Sequence, residues 1–294
     1  MIRCVWLAVA GVIGIGGVSA AGEPNADALT FREIHLSGLI PGSMFNPFSA
    51  TVSPDGRDVY VSTTAFSGIL HFRRNTNSGV LTFAESVEAQ LNPTGPLFGA
   101  YQLVASPDGR FVFAAIADPG TRGGIARFDR NSSDGSLSLS QGLPDDASAM
   151  EGLHSPVYLS ISPDGRHLYV LNDQYLLSPY YPPSVSVVAI DQTSGAMTFV
   201  QRIDRPVAGA GGYDSFAEVT VSPDGENVYV AGYSLGYVER YDRDTSTGML
   251  TSGGIADARG LTVSFVNSVA VSPDGNHAYA TDSTHGAISI FASV

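Results

Sequence analysis

Short runs of alternating apolar and polar residues recur along the chain, and a period of two predicts strands rather than helices. Asp58-Val59-Tyr60-Val61, Phe111-Val112-Phe113-Ala114, His167-Leu168-Tyr169-Val170, Asn227-Val228-Tyr229-Val230 and His277-Ala278-Tyr279-Ala280 are five such runs at matching places. Each follows a Ser-Pro-Asp-Gly tetrapeptide, starting at Ser53, Ser106, Ser162, Ser222 and Ser272. Proline presets φ at the second position of a β-turn, aspartate tolerates the third, and glycine ends it. A short apolar run precedes every copy, from Ala50-Thr51-Val52 to Val269-Ala270-Val271. Each copy therefore reads as strand, tight turn, strand.

A second element follows in register. Leu70-His71-Phe72-Arg73-Arg74 leads to Ser78-Gly79-Val80-Leu81-Thr82-Phe83, and Ala126-Arg127-Phe128-Asp129-Arg130 leads to Asp134-Gly135-Ser136-Leu137. Val188 to Asp191 and Arg240 to Arg243 repeat it, and Ala287 to Phe291 supplies a third strand after the last turn. Four antiparallel strands in about 50 residues is the pattern of a propeller blade. The expected fold is all-β: a five-bladed β-propeller over residues 28–294, in one domain. The last repeat lacks a fourth strand, and Ala28 to Ile34 resembles one. An N-terminal strand closing the last blade would leave no ragged sheet edge.

The first residues do not fit this pattern. Met1-Ile2-Arg3, an apolar run from Cys4 to Gly17, and the small residues Val18-Ser19-Ala20 form the three parts of a secretory signal peptide. The expectation is a signal over residues 1–21, an exported (periplasmic or secreted) product, and no transmembrane segment after cleavage. Cys4 is the one cysteine and leaves with the signal, so the mature chain holds itself together without disulfides and without thiol chemistry. All 15 basic residues are arginine, and 28 acidic residues give a net charge of −13. A chain this acidic repels phosphate backbones, so nucleic acid is not an expected partner.

The Ser-Pro-Asp-Gly-x-x-Val-Tyr-Val core and the Phe-Asp-Arg…Thr-Gly-x-Leu-Thr element resemble the lactonase-like, YVTN-type β-propeller repeats. The resemblance spans residues 28–294. Members of that family related to 6-phosphogluconolactonase are lactone hydrolases, usually with seven blades and with polar residues just before the innermost strand. The matching positions here are Phe48-Ser49, Tyr101-Gln102, Val157-Tyr158, Ala217-Glu218 and Asn267-Ser268.

By pseudo-symmetry Ser49, Gln102, Tyr158, Glu218 and Ser268 form one ring at a channel mouth. Glu218 is the only charge among them, which makes it the candidate general base or ligand anchor. The bland alternative is that these side chains satisfy hydrogen bonds between blades. His154 and Asp214 lie in blade-to-blade loops where a carboxylate and an imidazole could activate water. Tyr180 and Tyr181 sit in a proline-rich loop suited to carbohydrate or protein contact. Asp129 to Gly135 and Asp242 to Gly248 imitate calcium loops. Their glycine is seventh rather than sixth and no glutamate stands at the twelfth position, so they read as turns, with no metal and no cofactor expected. The expected function is a non-catalytic module binding a small-molecule, carbohydrate or protein ligand; the alternative is a lactonase-like hydrolase of an extracellular lactone or ester.

Overall fold

A computed structural model describes residues 46–64, 68–88, 99–117, 123–144, 153, 155–172, 182–204, 216–232, 237–257, 266–282 and 286–292. Among them the chain is all strand. The first sheet holds β1 (Pro47–Val52), β2 (Asp58–Thr63), β3 (Gly68–Arg74) and β4 (Leu81–Glu88). The second holds β5 (Ala100–Ala105), β6 (Phe111–Ile116), β7 (Gly124–Arg130) and β8 (Leu137–Pro144). The third holds β9 (Pro156–Ile161), β10 (His167–Asn172), β11 (Ser184–Ile190) and β12 (Met197–Asp204). The fourth holds β13 (Phe216–Val221), β14 (Asn227–Gly232), β15 (Tyr237–Arg243) and β16 (Leu250–Asp257), and the fifth β17 (Val266–Val271), β18 (His277–Asp282) and β19 (Ala287–Ala292).

Every sheet is an antiparallel meander, and the first strands of successive sheets lie side by side. This is the radial arrangement of a β-propeller, as the repeats predict. The strand proposed over residues 28–34 lies outside the described residues.

The Ser-Pro-Asp-Gly turn is a closed hydrogen-bond unit. Gly56 N donates to Ser53 O at 2.8 Å, and Ser53 Oγ donates to Asp55 Oδ1 at 2.6 Å while accepting from Asp58 N at 3.0 Å. Gly56 has φ +68°, so the left-handed conformation explains the glycine. The serine and aspartate reach back to the same turn in the other four repeats.

The core lies between sheets. Tyr60 and Ile69 of the first sheet pack with Val112, Ala114, Phe128 and Leu137 of the second. Tyr169, Val185 and Val187 of the third pack with Val228, Val230, Tyr241 and Leu250 of the fourth. Burying one such side chain is worth roughly 1.5–3 kcal/mol.

A polar latch rims each of these two seams. Arg130 donates from Nη1 to Gly109 O of its own sheet at 3.1 Å, then crosses to Asp55 Oδ2 at 2.8 Å, to Asp58, and to the Tyr60 hydroxyl at 3.0 Å. Arg243 repeats this with Gly225 O, Asp164 Oδ2, His167 Nδ1 and the Tyr169 hydroxyl, all between 2.6 and 2.9 Å. Between the second and third sheets the arginine, aspartate-or-histidine and tyrosine positions of the latch are apolar. The turn aspartate Asp108 stays, and Arg110 and Arg127 cross the seam to the backbone carbonyls of Gln192, Thr193 and Ser194. Ile190 stands where the arginine would be, with Phe111 and Phe113 opposite. Trading a buried ion pair for well-packed hydrophobic volume is often neutral or stabilising.

Candidate functional site

The innermost strand of every sheet carries a bulge near its start. The register slips between Pro47 and Ala50, Ala100 and Leu103, Phe216 and Glu218, and Val266 and Ser268, and likewise opposite Leu171 and Asn172 in the third sheet. A bulge re-aims side chains away from the regular two-residue alternation. Here the residues at the slips, Phe48-Ser49, Gln102, Tyr158, Ala217-Glu218 and Asn267, line one cleft of about 280 Å³. All five sheets contribute to it. Ahead of three of these strands the chain turns through a left-handed residue: Asn46 (φ 52°), Gly99 (φ 61°) and Ser155 (φ 51°).

The sequence-predicted ring is thus brought together at Ser49, Gln102, Tyr158 and Glu218. Each polar member whose bonds are defined also ties its sheet to the next. Ser49 Oγ accepts from Leu103 N at 3.3 Å, and Gln102 Oε1 accepts from Leu159 N at 3.1 Å. Glu218 Oε2 accepts from Val269 N at 2.9 Å and from the Ser268 hydroxyl. Ser268 therefore supports Glu218. Both of these bonds fall on one carboxylate oxygen, which fixes the group's orientation without using Oε1.

Aromatic side chains, Phe48 and Tyr158, line the same cleft as the polar residues. Phe48 meets Tyr101 edge to face at 5.1 Å between ring centroids and Tyr158 at 6.1 Å, and it remains 44% exposed. Sequence reasoning missed Phe48 as a wall residue because only the bulge turns it to the cleft. His154, Asp214, Tyr180 and Tyr181 lie outside the described residues. The two turns that imitate calcium loops are Asx turns: Asp244 Oδ1 accepts from Ser246 N, Thr247 N and the Ser246 hydroxyl. Among the described residues no cluster of three potential metal ligands occurs, and no helix is long and apolar enough to cross a membrane.

Comparison with known proteins agrees with the fold. Residues 120–256 match the family model described as Lactonase, 7-bladed beta-propeller. The chain is 24% identical over 265 residues to a 6-phosphogluconolactonase of Enterobacter sp. (strain 638), covering 82% of this chain and 65% of that protein. It thus spans just under two thirds of the curated relative. Among solved structures it is similar to a periplasmic gluconolactonase of Pseudomonas aeruginosa, with TM-score 0.65, 19% identity and coverage of 86% of this chain and 68% of that one. A protein from Lactobacillus plantarum gives TM-score 0.63 at 18% identity, covering 87% and 69%. The resemblance to lactonase-like propellers read from the repeats is borne out, and the comparisons favour the hydrolase over the pure binding module.

Proposed function

We propose that the protein is a lactone hydrolase working at the cleft where the five innermost strands converge. The observation that carries this reading is the oriented Glu218 carboxylate in a cleft shared by all five sheets, in a chain similar to lactonase propellers. In the reaction Glu218 Oε1 takes a proton from a water molecule as its oxygen bonds to the lactone carbonyl carbon. The ring C–O bond then breaks, the proton passes to the leaving alkoxide, and a hydroxy acid departs. Leu159 N holds Gln102 Oε1, so the amide Nε2 is the donor left for the carbonyl oxygen as it gains charge. The reading includes export, supported by the N-terminal pattern and by the likeness to a periplasmic protein.

One observation favours the binding module instead: Ser49, Gln102 and Glu218 all spend an acceptor on the neighbouring sheet. Glu218→Gln separates the two readings. The amide keeps the shape and an acceptor for Val269 N but cannot act as base. A general base contributes about 10²–10⁴ in rate, so the variant should lose that much of kcat for δ-lactone opening in a pH-stat while keeping its melting temperature within a few degrees. A wild-type rate no higher than spontaneous hydrolysis would sink the hydrolase and leave the binding module.

A further inference from the structure

Each bulge at the cleft sets an extra residue of the innermost strand against the second strand of its own sheet. In the first sheet Pro47 pairs with Thr63 and Ala50 with Val61, so Phe48 and Ser49 stand together against Ser62. Ser62 is fully buried, and its hydroxyl serves two sheets at once. It accepts from Ser49 N at 3.0 Å in its own sheet and donates to Tyr101 O in the second. The corresponding residues of the next three sheets are Ala115, Leu171 and Ala231, whose side chains carry no polar group. In the fifth sheet it is Thr281, which is exposed. Of the five, Ser62 alone is a buried hydroxyl.

The two backbone groups that Ser62 joins belong to residues that shape the cleft. Ser49 N is part of the peptide that links it to Phe48, and Tyr101 O is part of the peptide that links it to Gln102. The Tyr101 ring is held as well. It meets Phe48 edge to face, and a Cβ on Gly99 would lie 2.5 Å from it, so only glycine leaves it that place. A second bond, from Leu103 N to Ser49 Oγ at 3.3 Å, joins the same two strands. Without the Ser62 hydroxyl, Ser49 N and Tyr101 O each lose a partner. A buried backbone group left that way is costly enough for the peptide to move.

We propose that Ser62 is a positioning residue for the cleft: its hydroxyl fixes the spacing between the Phe48 ring and the Gln102 amide. The role rests on the lactone-hydrolase reading, in which the substrate ring lies against Phe48 while Gln102 Nε2 donates to the carbonyl oxygen. Ser62 touches no substrate and acts through the two peptides alone. A displacement of about 1 Å at a group that stabilises a transition state costs roughly a hundredfold in rate.

Ser62→Ala tests the role. Alanine already stands fully buried at the same register in the second and fourth sheets, so the variant should fold. Its kcat for δ-lactone opening, per folded molecule, should fall by about tenfold to a hundredfold. KM should change by less than about threefold, because Phe48 still offers its face to the ring and the loss falls on the transition state. Hydrogen exchange supplies a readout independent of turnover: the Ser49 amide should exchange at least about tenfold faster than in the wild type. Ser62→Cys keeps the shape but bonds weakly, and should move kcat the same way by less. A Ser49 amide released with kcat unchanged would overturn the positioning role and leave the hydrolase standing. A Ser49 amide as protected as in the wild type would overturn it at any rate of turnover, since the hydroxyl would then hold nothing. A wild-type rate no higher than spontaneous hydrolysis is a separate failure, which removes the hydrolase and this role together.

Discussion

Ser155 is the residue whose sequence context says least about its role. It is 1% exposed, holds φ at 51°, and its hydroxyl has no hydrogen-bond partner among the described residues. The left-handed conformation costs a non-glycine residue roughly 1–2 kcal/mol, and an unsatisfied buried hydroxyl roughly 1–3 kcal/mol. Glycine removes both penalties and adds roughly 0.5–1 kcal/mol of unfolded-chain entropy. Ser155→Gly should therefore raise the melting temperature by a few degrees, matching the glycine already present at position 99. A fall would show that the hydroxyl holds a contact the folded chain needs. The ring positions themselves were legible, because each stands four residues before a repeat serine. The bulges were not, since a register slip depends on where the partner strand's hydrogen bonds fall and leaves no mark on composition.

At the scale of the element, strands and turns were almost fully readable from Ser-Pro-Asp-Gly and from the alternation that follows it. What escaped was the chemistry between sheets, because Arg130 and Asp55 are 75 residues apart and meet only across a seam. These seams give the fold a pH signature. Burial would raise the Asp164 carboxyl, but the Ser162 hydroxyl and Arg243 outweigh it and hold the group at about 2. Burial, reinforced by Arg243, pushes His167 below its ordinary value of 6.5, and the arginine donating to Nδ1 requires the neutral ring. Both groups bind protons more readily in the unfolded chain. Their stabilisation is present at neutral pH; the His167 share fades as pH falls below 6.5 and the Asp164 share as it falls from about 4 towards 2. His167→Phe copies the seam in which Phe111 lies beneath Gly195, so the ring fits. The melting temperature of this variant should depend less on pH between 7 and 5 than that of the wild type. A slope unchanged from wild type would mean that the loss of stability there belongs to other groups.

Taken as a whole molecule, the chain is a set of like sheets around a common axis, and the proposed chemistry lies where they converge. The family resemblance set an expectation of lactone chemistry, and Gln102, Tyr158 and Glu218, read from the repeats as one ring, line the cleft proposed for it. The charge of −13 adds a constraint, since an acidic molecule with a carboxylate in its cleft favours an uncharged substrate over an anionic one. The most direct test of the account is a crystal structure of the mature protein with a sugar δ-lactam, which keeps the ring of a δ-lactone but resists hydrolysis. The account predicts the lactam ring against Phe48, its carbonyl oxygen within hydrogen-bond distance of Gln102 Nε2, and a water between its carbonyl carbon and Glu218 Oε1. A lactam bound on the rim, away from the five innermost strands, would contradict it.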